Sequence, residues 1–213
     1  MSTLAVTRLV WRHPQWWSLA LAGGAWVVMI RNAGHHAHGF APWMLMTVAM
    51  MLPMVSEHVR LTAERSLWKR RHRAMAGFLV GYLGLWAIPG IALAFVPFHP
   101  DARAAAIAFA IAAVWQLTPW KRRALVWCHR TMPLAPRGWR ADADCIRFGW
   151  LIGTRCFLSC WALMLACVMS GHALLATAGL LAIGLAERYV VRDQRLLAAA
   201  LFVAAALSLR WTG

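Results

Sequence analysis

Three cysteines and a methionine, Cys156, Cys160, Met164 and Cys167, recur at helical spacing within one apolar run. At 100° per residue, with Cys156 as zero, Cys160, Met164 and Cys167 fall at about 40°, 80° and 20°, so all four share one helical face. Cys156 and Cys160 would stand about 6 Å apart along the axis, within reach of a single ion. Thiolate and thioether are soft donors; they select Cu(I), or Zn(II) when enough thiolates gather. The same side chains are also among the best-buried packing groups, so spacing alone leaves both roles open.

A second cluster lies in Gly34–Gly39, where His35, His36 and His38 sit within four residues. Met29 precedes it, and Met44 and Met46 follow. Imidazole suits copper and zinc, and thioether suits Cu(I). A weak, exchangeable site is expected there, facing the same side as His99 and His172. A third feature is Met50-Met51-Leu52-Pro53-Met54. Ala49, Met50 and Met54 are expected to face the helix that carries the cysteines, although Met also serves as flexible core filler. Arg155 falls inside the cysteine run, and charge at that depth is costly unless paired. Glu187 and Glu57 lie at matching depth in other segments and are the expected partners; snorkelling to the headgroups is the alternative. No phosphate-binding loop, nucleophile elbow or zinc-protease motif occurs, so no catalytic role is expected.

These residues need long apolar helices to position them. The chain has 213 residues, 62% of them hydrophobic and only 14% charged. Soluble domains carry about 25% charged residues, so a soluble domain, a secreted disulfide scaffold and a disordered chain are excluded. Fourteen Trp suit membrane–water interfaces. A spanning helix needs about 20 mostly apolar residues. Seven segments qualify in outline: 16–30, 42–55, 75–96, 104–119, 148–169, 172–186 and 196–209. The expected fold is an all-α polytopic bundle, one integral membrane domain over residues 1–213.

The net charge of +15 fits this layout. The basic residues of the N-terminus and of 56–74, 119–147 and 187–195 all fall on one side, which leaves only Arg31, Arg103 and Arg210 opposite. Positive residues mark the cytoplasmic face. The N-terminus is therefore expected inside and the C-terminus outside, in the plasma membrane, with lipid as the partner rather than nucleic acid. The first segment is expected to remain as an uncleaved helix, because no small-residue cleavage site follows it. The stretch 119–147 reads as a basic loop.

The chain resembles a bacterial family of predicted metal-binding integral membrane proteins, largely a domain of unknown function, whose members are sometimes labelled copper chaperones. The matching segments are Pro42-Trp43-Met44, Ala49-Met50-Met51-Leu52-Pro53, Gly81-Tyr82-Leu83 with Trp86, Trp115-Gln116-Leu117-Thr118-Pro119-Trp120-Lys121, Cys128, Gly153, Cys156, Cys160-Trp161-Ala162-Leu163-Met164, Gly171 and Glu187-Arg188. They run from about residue 42 to 188. The family pattern has further cysteines where this chain has Ala124 and Ser159. It has Met-Asn at Ala173-Leu174 and Trp-Met at Thr177-Ala178. The resemblance implies metal handling, but it carries no site onto the sixth segment.

The function expected from these readings is binding of a soft metal ion, Cu(I) ahead of zinc, and its delivery to an extracytoplasmic acceptor protein. The outer His and Met residues would collect the ion, and Cys156, Cys160 and Met164 would hold it. A metal-free scaffold subunit of a membrane complex is the alternative, with a small-solute or metal transporter behind it.

Overall fold

The computed structural model describes residues 14–32, 39–95, 101–135, 137–189 and 194–210. Among them every regular element is helical: α1 (Trp16–Arg31), α2 (Phe40–Glu64), α3 (Arg71–Phe95), α4 (Ala102–Leu117), α5 (Pro119–Cys128), α6 (Trp139–Met169), α7 (Leu174–Tyr189) and α8 (Gln194–Arg210), with a 3-10 turn at Trp68–Arg70. Each of the seven apolar segments thus folds as helix. Three stretches are long and apolar enough to cross a membrane, Phe40–Glu64, Trp68–Phe95 and Trp139–Met169; a fourth is added if α4 and α5 count as one broken span. α1 and α7 have 16 residues each, about 24 Å of helix against a hydrocarbon core of about 30 Å.

Residues 119–147 are not a loop. Thr118 adopts an extended conformation, and its hydroxyl accepts from the Lys121 amide at 3.2 Å, with Pro119 in the first helical turn. A capping hydroxyl followed by proline starts a helix. α5 therefore begins where α4 ends, turned from it by 76°. It exposes Trp120, Arg122, Arg123, Val126 and Trp127 and buries Lys121, Ala124 and Cys128. α6 starts already at Trp139, after Gly138 at φ 83, and ends at Gly171 at φ 65.

α3 and α6 form the central pair. Gly77 and Gly81 on α3 lie against Cys145, Ile146 and Trp150 of α6, and Gly149 and Gly153 on α6 lie against Phe78, Tyr82 and Leu85 of α3. A Cβ at Gly81 would collide with the Ile146 carbonyl, and one at Gly149 with the Phe78 carbonyl. The two backbones therefore touch, as small-residue spacing permits between membrane helices. α2 packs on α3, and α4 and α5 pack on α6. α1 lies on α2 and α8 on α4, while α7 touches α2, α6 and α8. Trp43 of α2 donates to the Trp86 carbonyl of α3 at 2.7 Å, its ring lying where Gly90 has no side chain. Trp26 of α1 donates to the Ala49 carbonyl of α2 at 3.2 Å.

At the basic end, Asp142 of α6 accepts from Arg70 at 2.5 Å and Arg73 at 2.8 Å. Arg65 donates to the Met132 carbonyl at 3.2 Å. The outward surface keeps large apolar side chains such as Val80, Ile88, Ile107, Val114, Leu175 and Leu196 exposed, more apolar area than water favours.

Leucine at Gly81 or Gly149 meets backbone, which cannot rotate away. Overpacking costs about 1–3 kcal/mol even in yielding cores, so each variant should lose the monodisperse peak in detergent size-exclusion chromatography. Alanine at Gly84, where nothing lies within 4 Å of the added carbon, should leave the peak unchanged.

Candidate metal centre

The α3–α6 contact sets the site. Tyr82 follows Gly81 in α3, and Cys156 lies two turns beyond Gly149 and one turn beyond Gly153 in α6. The Tyr82 hydroxyl donates to Cys156 Sγ at 3.2 Å, with both residues fully buried. From the other side the Cys156 thiol points at the thioether of Met51 in α2, 3.8 Å between sulfurs. α2 and α6 thus meet through side chains, at Met51. Ala49 and Met54, expected to turn toward the cysteines, do not: Ala49 packs with Ala25 and Met29, and the Met54 thioether lies against Gly184 of α7. Met50 is buried in the core.

The expected stripe is one face, and all of it is inside. Cys156, Cys160, Met164 and Cys167 are each 0–1% exposed. They do not form one site. Cys167 lies about 10 Å beyond Cys160 along the axis, and its thiol is with the Thr177 hydroxyl of α7 at 3.1 Å. Cys160 instead looks the other way, toward Ser159, whose hydroxyl is 3.3 Å from Cys160 Sγ and 3.8 Å from Cys128 Sγ. That hydroxyl itself donates to the Cys156 carbonyl at 2.9 Å. The result is a row of soft donors, Met51, Cys156, Cys160 and Cys128, drawn from α2, α6 and α5.

Beside the row lies a buried charge network. Lys121 of α5 is 0% exposed. Its ammonium forms an ion pair with Glu187 Oε2 of α7 at 2.8 Å and donates to the Ser159 carbonyl at 2.5 Å. Gln116 of α4 donates to the other Glu187 oxygen. The expected partnership of Arg155 with Glu187 or Glu57 is therefore not formed. Lys121 already neutralises Glu187, and Glu57 pairs with Arg60 one turn away at 2.9 Å. Arg155 donates instead to the carbonyls of Trp127 and Arg130, at 3.1 and 3.0 Å, which caps the end of α5 against α6. Nearby, His58 lies parallel to Phe78 and tilted against Phe148, with its Nδ1 3.3 Å from Arg188 Nη2. His129, in the connection after α5, has its pKa lowered by partial burial and then by the Arg188 charge.

Met51, Tyr82, Lys121 and Cys128 were not singled out as functional by spacing within one segment. For α5 a signal was present. After Thr118-Pro119 starts the helix, Lys121, Ala124 and Cys128 at i, i+3 and i+7 share one face. His35, His36 and His38 lie outside the described residues. Met44 is partly buried, and Gly39, where α2 begins, is about 18 Å of helix from Met51. Among the described residues no three His, Cys, Asp or Glu side chains gather to hold a metal ion. Tetrahedral zinc, which wants four such ligands, does not fit. Cu(I), which soft donors select, is compatible with the Cys156 and Met51 sulfurs, 3.8 Å apart.

The model of a family described as PpoB2, copper chaperone, matches residues 40–210. The chain belongs to that family. No curated protein and no solved structure matches it.

Removing one partner of a buried ion pair costs about 3–5 kcal/mol, whereas replacing both by apolar groups is often neutral. Lys121→Met and Glu187→Gln should each lower the thermal unfolding midpoint in detergent, followed by tryptophan fluorescence. Lys121→Met combined with Glu187→Leu should recover most of the loss.

Proposed function

We propose that this copper chaperone family member holds Cu(I) on the buried sulfur row, with Cys156 and Cys160 as principal ligands and Met51 beside them, and supplies it to an acceptor protein outside the cytoplasm. The observation that carries this reading is the meeting of Cys156 and Met51 sulfurs at 3.8 Å within a fully buried setting. A thiol and a thioether from two different helices converge there, and the donor set is soft throughout. Two thiolates around one Cu(I) carry a net negative charge, and the Lys121 ammonium, bonded to the peptide that precedes Cys160, is a cation suitably placed to offset it.

The bundle would lie in the plasma membrane. Its seven helical segments would cross with the N-terminus cytoplasmic and the C-terminus outside; the charge asymmetry between alternate connections and the apolar outer surface support this. Lipid is then its immediate surroundings, and nucleic acid has no part. His35, His36, His38 and Met44 would exchange the ion with the outside, as a station separate from the thiols. Met164 lines the row one turn beyond Cys160, and Cys167 packs against α7. Binding and release complete the task; no bond of a substrate is made or broken, so the protein is not an enzyme.

Anaerobically purified protein loaded with Cu(I) should retain about one copper per chain by mass spectrometry of the metal. Cys156→Ser with Cys160→Ser should bring that to background while the chromatographic peak stays intact. Met51→Leu should keep the stoichiometry and weaken binding about tenfold in chelator competition, which corresponds to about 1.4 kcal/mol. Copper retained by the double variant would remove the site. Tolerance of serine with no copper in either protein would favour the scaffold.

A further inference from the structure

We propose that Cys128 is a second, transient copper position, and that copper exchanges between it and Cys156 by way of Cys160, with the basic end of the bundle at His129 as its point of entry. This deepens the copper reading above and rests on it. The sulfurs form a row rather than a ring. Met51 meets Cys156 at 3.8 Å, Cys160 follows one turn along α6, and the Ser159 hydroxyl touches both Cys160 and Cys128. With no enclosing set of three ligands among the described residues, an ion would sit between two sulfurs at a time, and each pair shares a member with the next. Such an ion moves by exchange. A copper–sulfur bond to Cys128 forms as the bond to Cys156 breaks, with Cys160 holding throughout. The proton that leaves the Cys128 thiol goes to the freed Cys156 sulfur, where the Tyr82 hydroxyl already donates. Copper stays Cu(I), and nothing is oxidised or reduced.

The position of Cys128 suits an entry. It is the last residue of α5 and 2% exposed, while Trp127, His129 and Arg130 around it are exposed. Arg155, next to Cys156, bonds the carbonyls on either side, Trp127 and Arg130, so the Cys128 turn is pinned to the helix that carries the other thiols. This end lies by the Arg65–Met132 contact at the far end of α2 from Gly39. The row therefore opens toward the end of the bundle opposite Gly39.

The test uses the full chain in detergent, loaded with one Cu(I) without oxygen, and follows copper release to bathocuproine disulfonate by stopped-flow absorbance. Release of the copper that Cys128→Ser retains should be slowed about tenfold or more. Cys128→Met, bulkier but soft, should release faster than Cys128→Ser. A packing role predicts the reverse order, because serine is the closer match in size. Release from Cys128→Ser at the wild-type rate, or a Met variant no faster than the Ser variant, would overturn the proposal. If Cys128→Ser does not fold, Cys128→Ala replaces it in the same comparison. Failure of the wild-type chain to bind copper is a separate result: it overturns the copper reading, and the relay with it.

Discussion

The rest of the structure depends on two helix backbones being allowed to touch. At Gly81 and Gly149 the α3 and α6 main chains leave no room for a single carbon between them. That contact fixes the register of the two central helices. One residue beyond Gly81, Tyr82 is delivered onto Cys156; one turn beyond Gly149, Gly153 keeps the path clear. A looser crossing would move the hydroxyl off the thiol and the thiol off Met51. For a bundle in lipid, where apolar surface alone gives helices little reason to associate, such close packing would be the main force available. The geometry of the sulfur row thus follows from residues that carry no functional group.

The second constraint is charge. An apolar bundle that encloses Lys121 and Glu187 must pair them, and the chain gathers groups from four helices around the pair: Gln116, Lys121, the Ser159 carbonyl and Glu187. A buried pair of this kind adds little net stability over apolar packing, so stability alone does not account for it. What it does fix is place. It joins α4, α5, α6 and α7 beside the sulfur row, and it sets a positive charge next to the peptide before Cys160.

Much of this was legible in the residues. Each apolar segment is a helix, because length and hydrophobicity dictate that backbone groups be satisfied within the segment. The 3.6-residue period placed Cys156, Cys160, Met164 and Cys167 on one buried face. What spacing could not supply was contact between segments. Whether Met50 or Met51 reaches the cysteines turns on about 100° of helix rotation, which the Trp43–Trp86 bond and the Gly90 cavity decide, not the local sequence. Arg155 was expected to need a carboxylate. Its need was met by the unpaired carbonyls at the end of α5, a helix hidden by its basic composition. Lys121, read as one more loop charge, was the true partner of Glu187 for the same reason.

The Lys121–Glu187 pair also sets an order of assembly. Lys121 leaves the ribosome well before Glu187, and an unpaired ammonium is costly inside a bilayer. In a bilayer, Lys121 gains its carboxylate only once α7 has been made, and Cys128 shares its face of α5. A chain cut short before α7 would therefore carry this lysine beside the sulfurs with no counter-charge.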